Sequence, residues 1–316
     1  MPLRKLARCA AALAAALAAS GAAAFPDKPI QYIIPFAPGG ESDITARLQA
    51  QVFAAKYKQQ MIVLNRPGAG GALIWGQLNS MTPDGYTISG VNLPHIVLQP
   101  LEGNVQYKTD DIAPVYFFQY TADAIVVPQS SPFKTFQDLV KAAKESPEKV
   151  TLAGSGTFSA NHMATERLNK LTGVKITYVP FKGTGDLSAS VAGGHVSGAM
   201  SYLPFAIQQK GKMRPLVIAT EKRHPAFPDV PTFRELGFNW VDGAYRGIAV
   251  PKPTPAALQK QLSDIMFALN QDPGMRTQLT EGGFDVIDVT LDKMPAFLAE
   301  KSRAYIEDAK AAGLLK

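Results

Sequence analysis

The chain has 316 residues, 46% of them hydrophobic, with 32 basic and 26 acidic side chains for a formal charge of +6. Arg4, Lys5 and Arg8 fall in the first 24 residues with no acid among them, so +6 less 3 leaves +3 for the remainder. So weak a balance, never gathered into a run of five basic residues, argues against nucleic acid as a partner and suits at most a small anion.

Met1 to Ala24 reads as a basic start, an apolar run from Ala10 to Ala19, and a close on Ala22-Ala23-Ala24. That is the pattern of a secretory signal peptide. The run is shorter than the roughly 20 residues of a permanent span; an N-terminal anchor or a buried helix is the other reading. The mature chain then starts near Phe25 with about 292 residues, enough for one large or two medium domains. The single cysteine, Cys9, lies in the leader. A mature protein without thiols suits an oxidising compartment such as a bacterial periplasm, and a core of this size needs no disulfide. No later stretch is long and apolar enough for a membrane.

Short β-branched or aromatic runs predict strands over 30–34, 61–64, 86–91, 115–118, 124–127, 150–153, 175–179, 197–201, 215–219, 247–250 and 284–287. Between them, helices are predicted over 42–57, 72–81, 135–145, 159–171, 184–192, 254–270 and 291–312. The alternation predicts an α/β fold with a largely parallel sheet covered by helices. Two segments look alike: Ala124-Ile125-Val126-Val127-Pro128 and Gly247-Ile248-Ala249-Val250-Pro251. Each is an apolar strand ended by a residue that cannot donate to a ladder. They read as crossings between one lobe, 25–126 with 248–316, and a second, 127–247; a single continuous sheet is the alternative.

Three strand-to-helix turns stand out. They are Pro35-Phe36-Ala37-Pro38-Gly39-Gly40-Glu41-Ser42-Asp43, Ala153-Gly154-Ser155-Gly156-Thr157, and Phe181-Lys182-Gly183-Thr184-Gly185-Asp186. Glycine lets backbone approach a ligand, and the free N–H groups of a first helical turn attract anions. Turns at the carboxyl ends of strands line the crevice of an open α/β sheet. Each turn alone also reads as a plain cap, with Ser42 or Asp43 capping the first helix. Asp43 and Asp186 fit either role. His95 and His162 are placed near a cleft, and Arg246 fits a carboxylate through its planar fork or stands as a solvated surface residue.

Enzyme signatures are missing. Pro38-Gly39-Gly40-Glu41 lacks the Gly-Lys-Ser/Thr of a nucleotide loop, and Gly68-Ala69-Gly70-Gly71 lacks the last dinucleotide glycine. The four histidines show no metal-binding spacing, so no metal and no cofactor are expected. A secreted serine hydrolase using Ser155 or Ser42 would need a histidine within hydrogen-bond reach.

Several segments resemble, in order along the mature chain, the Bug family of substrate-binding proteins of tripartite tricarboxylate transporters. They are Phe25-Pro26-Asp27-Lys28-Pro29-Ile30, Pro35 to Gly40 with Ser42-Asp43 and Ala46-Arg47, Asn65-Arg66-Pro67-Gly68-Ala69-Gly70-Gly71 and Pro83-Asp84-Gly85-Tyr86-Thr87. The likeness continues through Gly154-Ser155-Gly156, Tyr178-Val179-Pro180-Phe181-Lys182-Gly183 and Phe227-Pro228-Asp229-Val230-Pro231-Thr232. The resemblance implies a type II-like periplasmic-binding-protein fold of two α/β lobes around a cleft. It implies a non-catalytic monomer that captures a small organic acid and passes it to membrane permease subunits. A periplasmic sensor presenting the same ligand to a signalling receptor is the alternative. The matching loops, Phe36 to Asp43 and Ser155 to Thr157, hold the carboxylate in that family. The resemblance thus points to Gly40, Ser42, Asp43, Ser155 and Thr157, with His95, Thr184, Asp186 and Tyr202 after them; Phe36, Gly39, Gly156, His162 and Arg246 complete the candidate set. Glu41 departs from the small residue common there. A carboxylate in an anion site repels the ligand, so Glu41 either faces solvent or alters ligand choice.

Overall fold

The computed structural model describes residues 25–315. The leader, with Cys9, lies outside the described residues. In chain order come β1 (Ile30–Ile34), α1 (Glu41–Tyr57), β2 (Met61–Asn65), α2 (Ala72–Gln77), β3 (Thr87–Leu93), α3 (His95–Glu102) and β4 (Ile112–Pro128). Next are α4 (Phe136–Glu145), β5 (Thr151–Gly154), α5 (Ala160–Thr172), β6 (Thr177–Pro180), α6 (Leu187–Ala192), β7 (Gly198–Tyr202) and α7 (Leu203–Gln208). The chain closes with β8 (Met213–Ile218), β9 (Gly243–Pro251), α8 (Ala256–Asn270), α9 (Pro273–Glu281), β10 (Asp285–Val289) and α10 (Met294–Ala311). No helix among the described residues is long and apolar enough to cross a membrane.

β4 organises the sheet. The sequence suggested two strands, 115–118 and 124–127; the structure has one strand of 17 residues. Residues 112–122 pair with β9, and Asp123 to Pro128 pair with β7 and β8. The intervening Gln119-Tyr120-Thr121 broke the apolar pattern, yet Gln119 and Thr121 are fully buried because they hydrogen-bond inside the protein. Strand order is β2-β1-β3-β9-β4-β7-β5-β6, with β10 and β8 also on β4. The sheet is mixed, not largely parallel. β1 is parallel to β2 and β3, and β5 to β6 and β7, while β9 is antiparallel to β3 and β4, and β4 is antiparallel to β7, β8 and β10. Apolar patterning reports burial of both faces, which a covered antiparallel return strand shares.

The apolar core falls into clusters that follow this division of β4 in large part, with Phe158 and Met163 joining the first. One cluster joins Ile30, Phe53, Trp75, Phe117, Ile248 and Leu269; two others join Ile125, Leu152 and Trp240, and Ala124, Leu187 and Phe205. Arg167 on α5 braces the back of the molecule, donating to Asp242 at 2.6 Å and to Asp308 of α10 at 2.7 Å.

The sequence pattern missed α3, α7 and α9. Pro94 and Pro100 look like breakers, yet Pro100 sits inside α3. The carbonyl of Ile96, left without its helical N–H by Pro100, accepts instead from the Thr109 hydroxyl at 3.0 Å. In α9 the Asp272 side chain caps the Met275 N–H at 2.8 Å with Pro273 in the first turn, a readable start signal.

Gly243 fits the β4–β9 ladder because it lacks a side chain: a Cβ there would stand 1.9 Å from the Thr121 carbonyl oxygen. Gly243→Ala should therefore lower the unfolding free energy by about 1–3 kcal/mol, the usual cost of overpacking. A urea midpoint equal to wild type would show that the strands part freely at this point.

Candidate functional site

β1 ends under Pro35 and feeds the turn into α1. The N-cap of α1 is Gly40, without a side-chain cap. Ser42 and Asp43 thus stand in the first turn instead of capping it. Asp43 Oδ2 accepts from the Gly39 N–H at 2.9 Å and from Arg47 at 3.0 Å. Burial works against that charge, but the Arg47 and Gly39 bonds hold the Asp43 carboxyl below its ordinary value.

The opposing turn after β5 is held from within its own half. Asn161 Oδ1 accepts from the Ser155 N–H at 3.0 Å and its hydroxyl at 2.7 Å. Tyr178 donates to the Gly156 carbonyl at 2.7 Å. The third turn, before α6, lies on the first: the Ala37 N–H donates to the Lys182 carbonyl at 3.4 Å, and a Cβ on Gly185 would stand 2.1 Å from the Pro38 oxygen. Gln99 of α3 reaches across to the Thr157 carbonyl at 3.3 Å.

These turns enclose a cavity of about 10 Å³, lined by Phe36, Gly40, Glu41, Ser42, Asn92, Ser155, Thr184, Tyr202 and Arg246. That is room for about one water. Both halves of the sheet contribute, so the turns at 36–43 and 154–157 face the same gap.

Glu41 does not face solvent. It is 2% exposed and turned inward, where its Oε2 accepts from the Thr184 hydroxyl and lies 3.5 Å from Arg246 Nη2. Arg246, also 2% exposed, is no surface residue. Its Nη1 donates to Thr121 on β4, and its guanidinium covers the Tyr202 ring at 4.7 Å. The strand pairing Asn92↔Arg246 sets Asn92 beside it. Buried polar atoms without a hydrogen bond cluster here: Asn92 Oδ1, Tyr202 Oη, Arg246 Nε and both nitrogens of His95.

Of the candidates, Phe36, Gly40, Ser42, Ser155, Thr184, Tyr202 and Arg246 line the cavity, whereas Gly39 and Asp43 are engaged with each other behind it. Gly156, Thr157 and Asp186 line a separate groove of about 590 Å³ on the seam. His95 packs behind the lining, its ring 5.6 Å from Phe36. His162 accepts from the Phe158 N–H at 3.1 Å and stacks on Tyr178. The Ser155 hydroxyl donates to Asn161 and not to a histidine, so it lacks the adjacent base that a serine nucleophile needs. No group of three or more metal-binding side chains occurs among the described residues. Asn92 was missed: it is an ordinary strand residue until β9 is laid beside β3.

Burial, then the neighbouring Arg246, pushes the His95 pKa from 6.5 down to about 3, which leaves the ring neutral. Burial, then Asp242, pushes the Asp123 carboxyl well above its ordinary value. Glu41 and Arg246 are thus the two charges of the lining, and they cancel. The unfolded chain protonates His95 below pH 6.5 and the folded one does not. The associated stability is present above 6.5 and drains away as pH falls toward 3. Burial also lowers His162, to about 4, so part of the slope belongs to that ring. Between pH 6 and 5, His95→Asn should flatten the stability profile by about 1.4 kcal/mol per pH unit; an unchanged slope in urea titrations would mean that His95 takes up its proton in the folded protein.

A family model described as "Tripartite tricarboxylate transporter family receptor" matches residues 45–311. A Cupriavidus necator relative, "UPF0065 protein in gbd 5'region", is 32% identical over 313 residues, covering 94% of this chain and 95% of that protein. The structure of the periplasmic binding protein BugD superposes with a TM-score of 0.86 at 26% identity, covering 92% of this chain and all of BugD. MatC from Rhodopseudomonas palustris, with bound malate, gives 0.82 at 26% identity over 90% of this chain and 99% of MatC.

Proposed function

Because the chain belongs to the tripartite tricarboxylate transporter receptor family, a family of binding proteins and not enzymes, we propose that it captures a small carboxylate outside the cytoplasm and delivers it to membrane permease subunits. Secretion through the N-terminal leader, cleaved before Phe25, and action as a monomer belong to the same reading. The observation that carries it is Arg246, a buried cation at a gap shared by turns from both halves. Its Nε is buried without a partner, and Ser42 and the first turn of α1 complete the same lining. Unpaired N–H groups of a helix start and a guanidinium together favour an anion. The carboxylate bound in MatC supports the same choice.

A gap of about 10 Å³ is too small for an organic acid, so a ligand enters only as the halves move apart, and the gap is wider when it is held. We place the hinge at the two crossings: β4 at Ala122–Asp123, where pairing passes from β9 to β7, and the segment entering β9 at Asp242–Gly243. This hinge divides 25–122 with 243–315 from 123–242, a few residues before the prolines. Water excluded on closure strengthens each remaining hydrogen bond.

Thermal unfolding with a panel of mono- and dicarboxylates is the test. An acid at 100 times its dissociation constant adds about 2.7 kcal/mol; a response confined to sugars or cations would refute the reading. Gly185→Ala tests closure. Its Cβ would stand 2.1 Å from the Pro38 oxygen in the ligand-free structure, so unfolding without ligand should lose about 1–3 kcal/mol, and affinity falls by about tenfold where the two turns also meet around the ligand. Wild-type affinity in this variant would mean that the two turns do not meet in the bound state.

A further inference from the structure

Resting on carboxylate capture as its premise, we infer that the ligand is a zwitterion, a small molecule with one carboxylate and one protonated primary amine, and that Glu41 is the residue that selects for the amine.

The first ground is charge. The lining holds one buried anion and one buried cation, Glu41 and Arg246, whose side chains are each 3% exposed. His95 behind them is neutral, the buried Asp123 carboxyl is pushed well above its ordinary value by burial and Asp242, and Asp43 is matched by Arg47. Bringing a dicarboxylate into a dry space of net charge zero would bury two uncompensated negative charges, a cost that such sites avoid. A ligand with one charge of each sign leaves the sum unchanged.

The second ground is hydrogen bonding. Glu41 uses Oε2 for Thr184 and Arg246 and is an acceptor on the lining. Asn92 Oδ1, fully enclosed on the neighbouring strand, has no donor. Buried acceptors without donors are costly, and a carboxylate, which only accepts, cannot satisfy them. An ammonium donates three hydrogen bonds and fits both. Arg246 Nε and the Tyr202 hydroxyl, likewise unpartnered, are the donors a carboxylate needs. The lining thus offers acceptors as well as donors.

In the closed form described here the Glu41 carboxylate holds Arg246 itself. A ligand carboxylate arriving at Arg246 takes over part of that contact, and the amine then occupies Glu41. A ligand without the amine leaves Glu41 buried beside a second carboxylate, where the two repel.

The experiment is calorimetric titration of the dialysed periplasmic protein with the common amino acids. Their deaminated counterparts (propionate for alanine, 4-methylpentanoate for leucine), malate and succinate are titrated alongside. At least one amino acid should bind about tenfold or more tightly than its deaminated counterpart and than either dicarboxylate. In Glu41→Gln that ratio should collapse toward one through loss of amino-acid affinity, with the deaminated acid bound as well as before or better. A wild-type preference for malate or succinate, or equal binding of the amino acid and its deaminated counterpart, overturns the zwitterion and leaves carboxylate capture standing. Silence toward every acid overturns both. The wild-type comparison alone decides the matter if Glu41→Gln does not fold.

Discussion

A carboxylate and a guanidinium buried together at the meeting of three turns constrain everything around them. Either group alone would be prohibitively costly away from water. Glu41 belongs to the turn after β1, Thr184 to the turn before α6, and Arg246 to β9. The pair is dry only while those elements touch. The desolvation of one ion pair thus depends on contacts among three elements far apart in the chain.

The rest of the fold sets the geometry in which this balance is struck. β4 and β9 hydrogen-bond along most of their shared length, which fixes Arg246 between Asn92 on β3 and Thr121 on β4. Tyr178 and Asn161 hold the Ser155 turn from its own half. Across the seam the contacts near the site join backbone to backbone at Ala37 with Lys182 and at Gly185 with Pro38, and side chains at Thr184 with Glu41 and at Arg246 with Tyr202. On the far side, Arg167 links α5 to α10 and keeps the halves in register there.

Much of this was legible from residue order. Apolar runs located β1, β2, β3 and β5 through β10 within a few residues. Seven of the fourteen candidate side chains meet in one cavity, because glycine-rich turns at strand ends converge wherever strands share a sheet. The failures have physical causes. β4 read as two strands since Gln119 and Thr121 look solvent-facing until their buried partners are known. α3 was invisible because Thr109, nine residues past Pro100, repairs the hydrogen bond that the proline removes. Asp43 fitted a cap or a ligand group, and Arg47 one turn later on the same helix engages it. Of the two readings for Glu41, facing solvent or altering ligand choice, the first fails because its partners lie more than a hundred residues away.

Local chemistry along the chain determined the strand-turn-helix rhythm, the three glycine-rich turns, and the family to which their order belongs. Those features depend on neighbours a few residues apart, and a linear pattern displays them. The direction of the strands, the continuity of β4, and above all the meeting of Glu41, Asn92 and Arg246 were decided only in three dimensions. A buried charge is tolerable only beside its counter-charge, and that counter-charge came from a strand far along the chain.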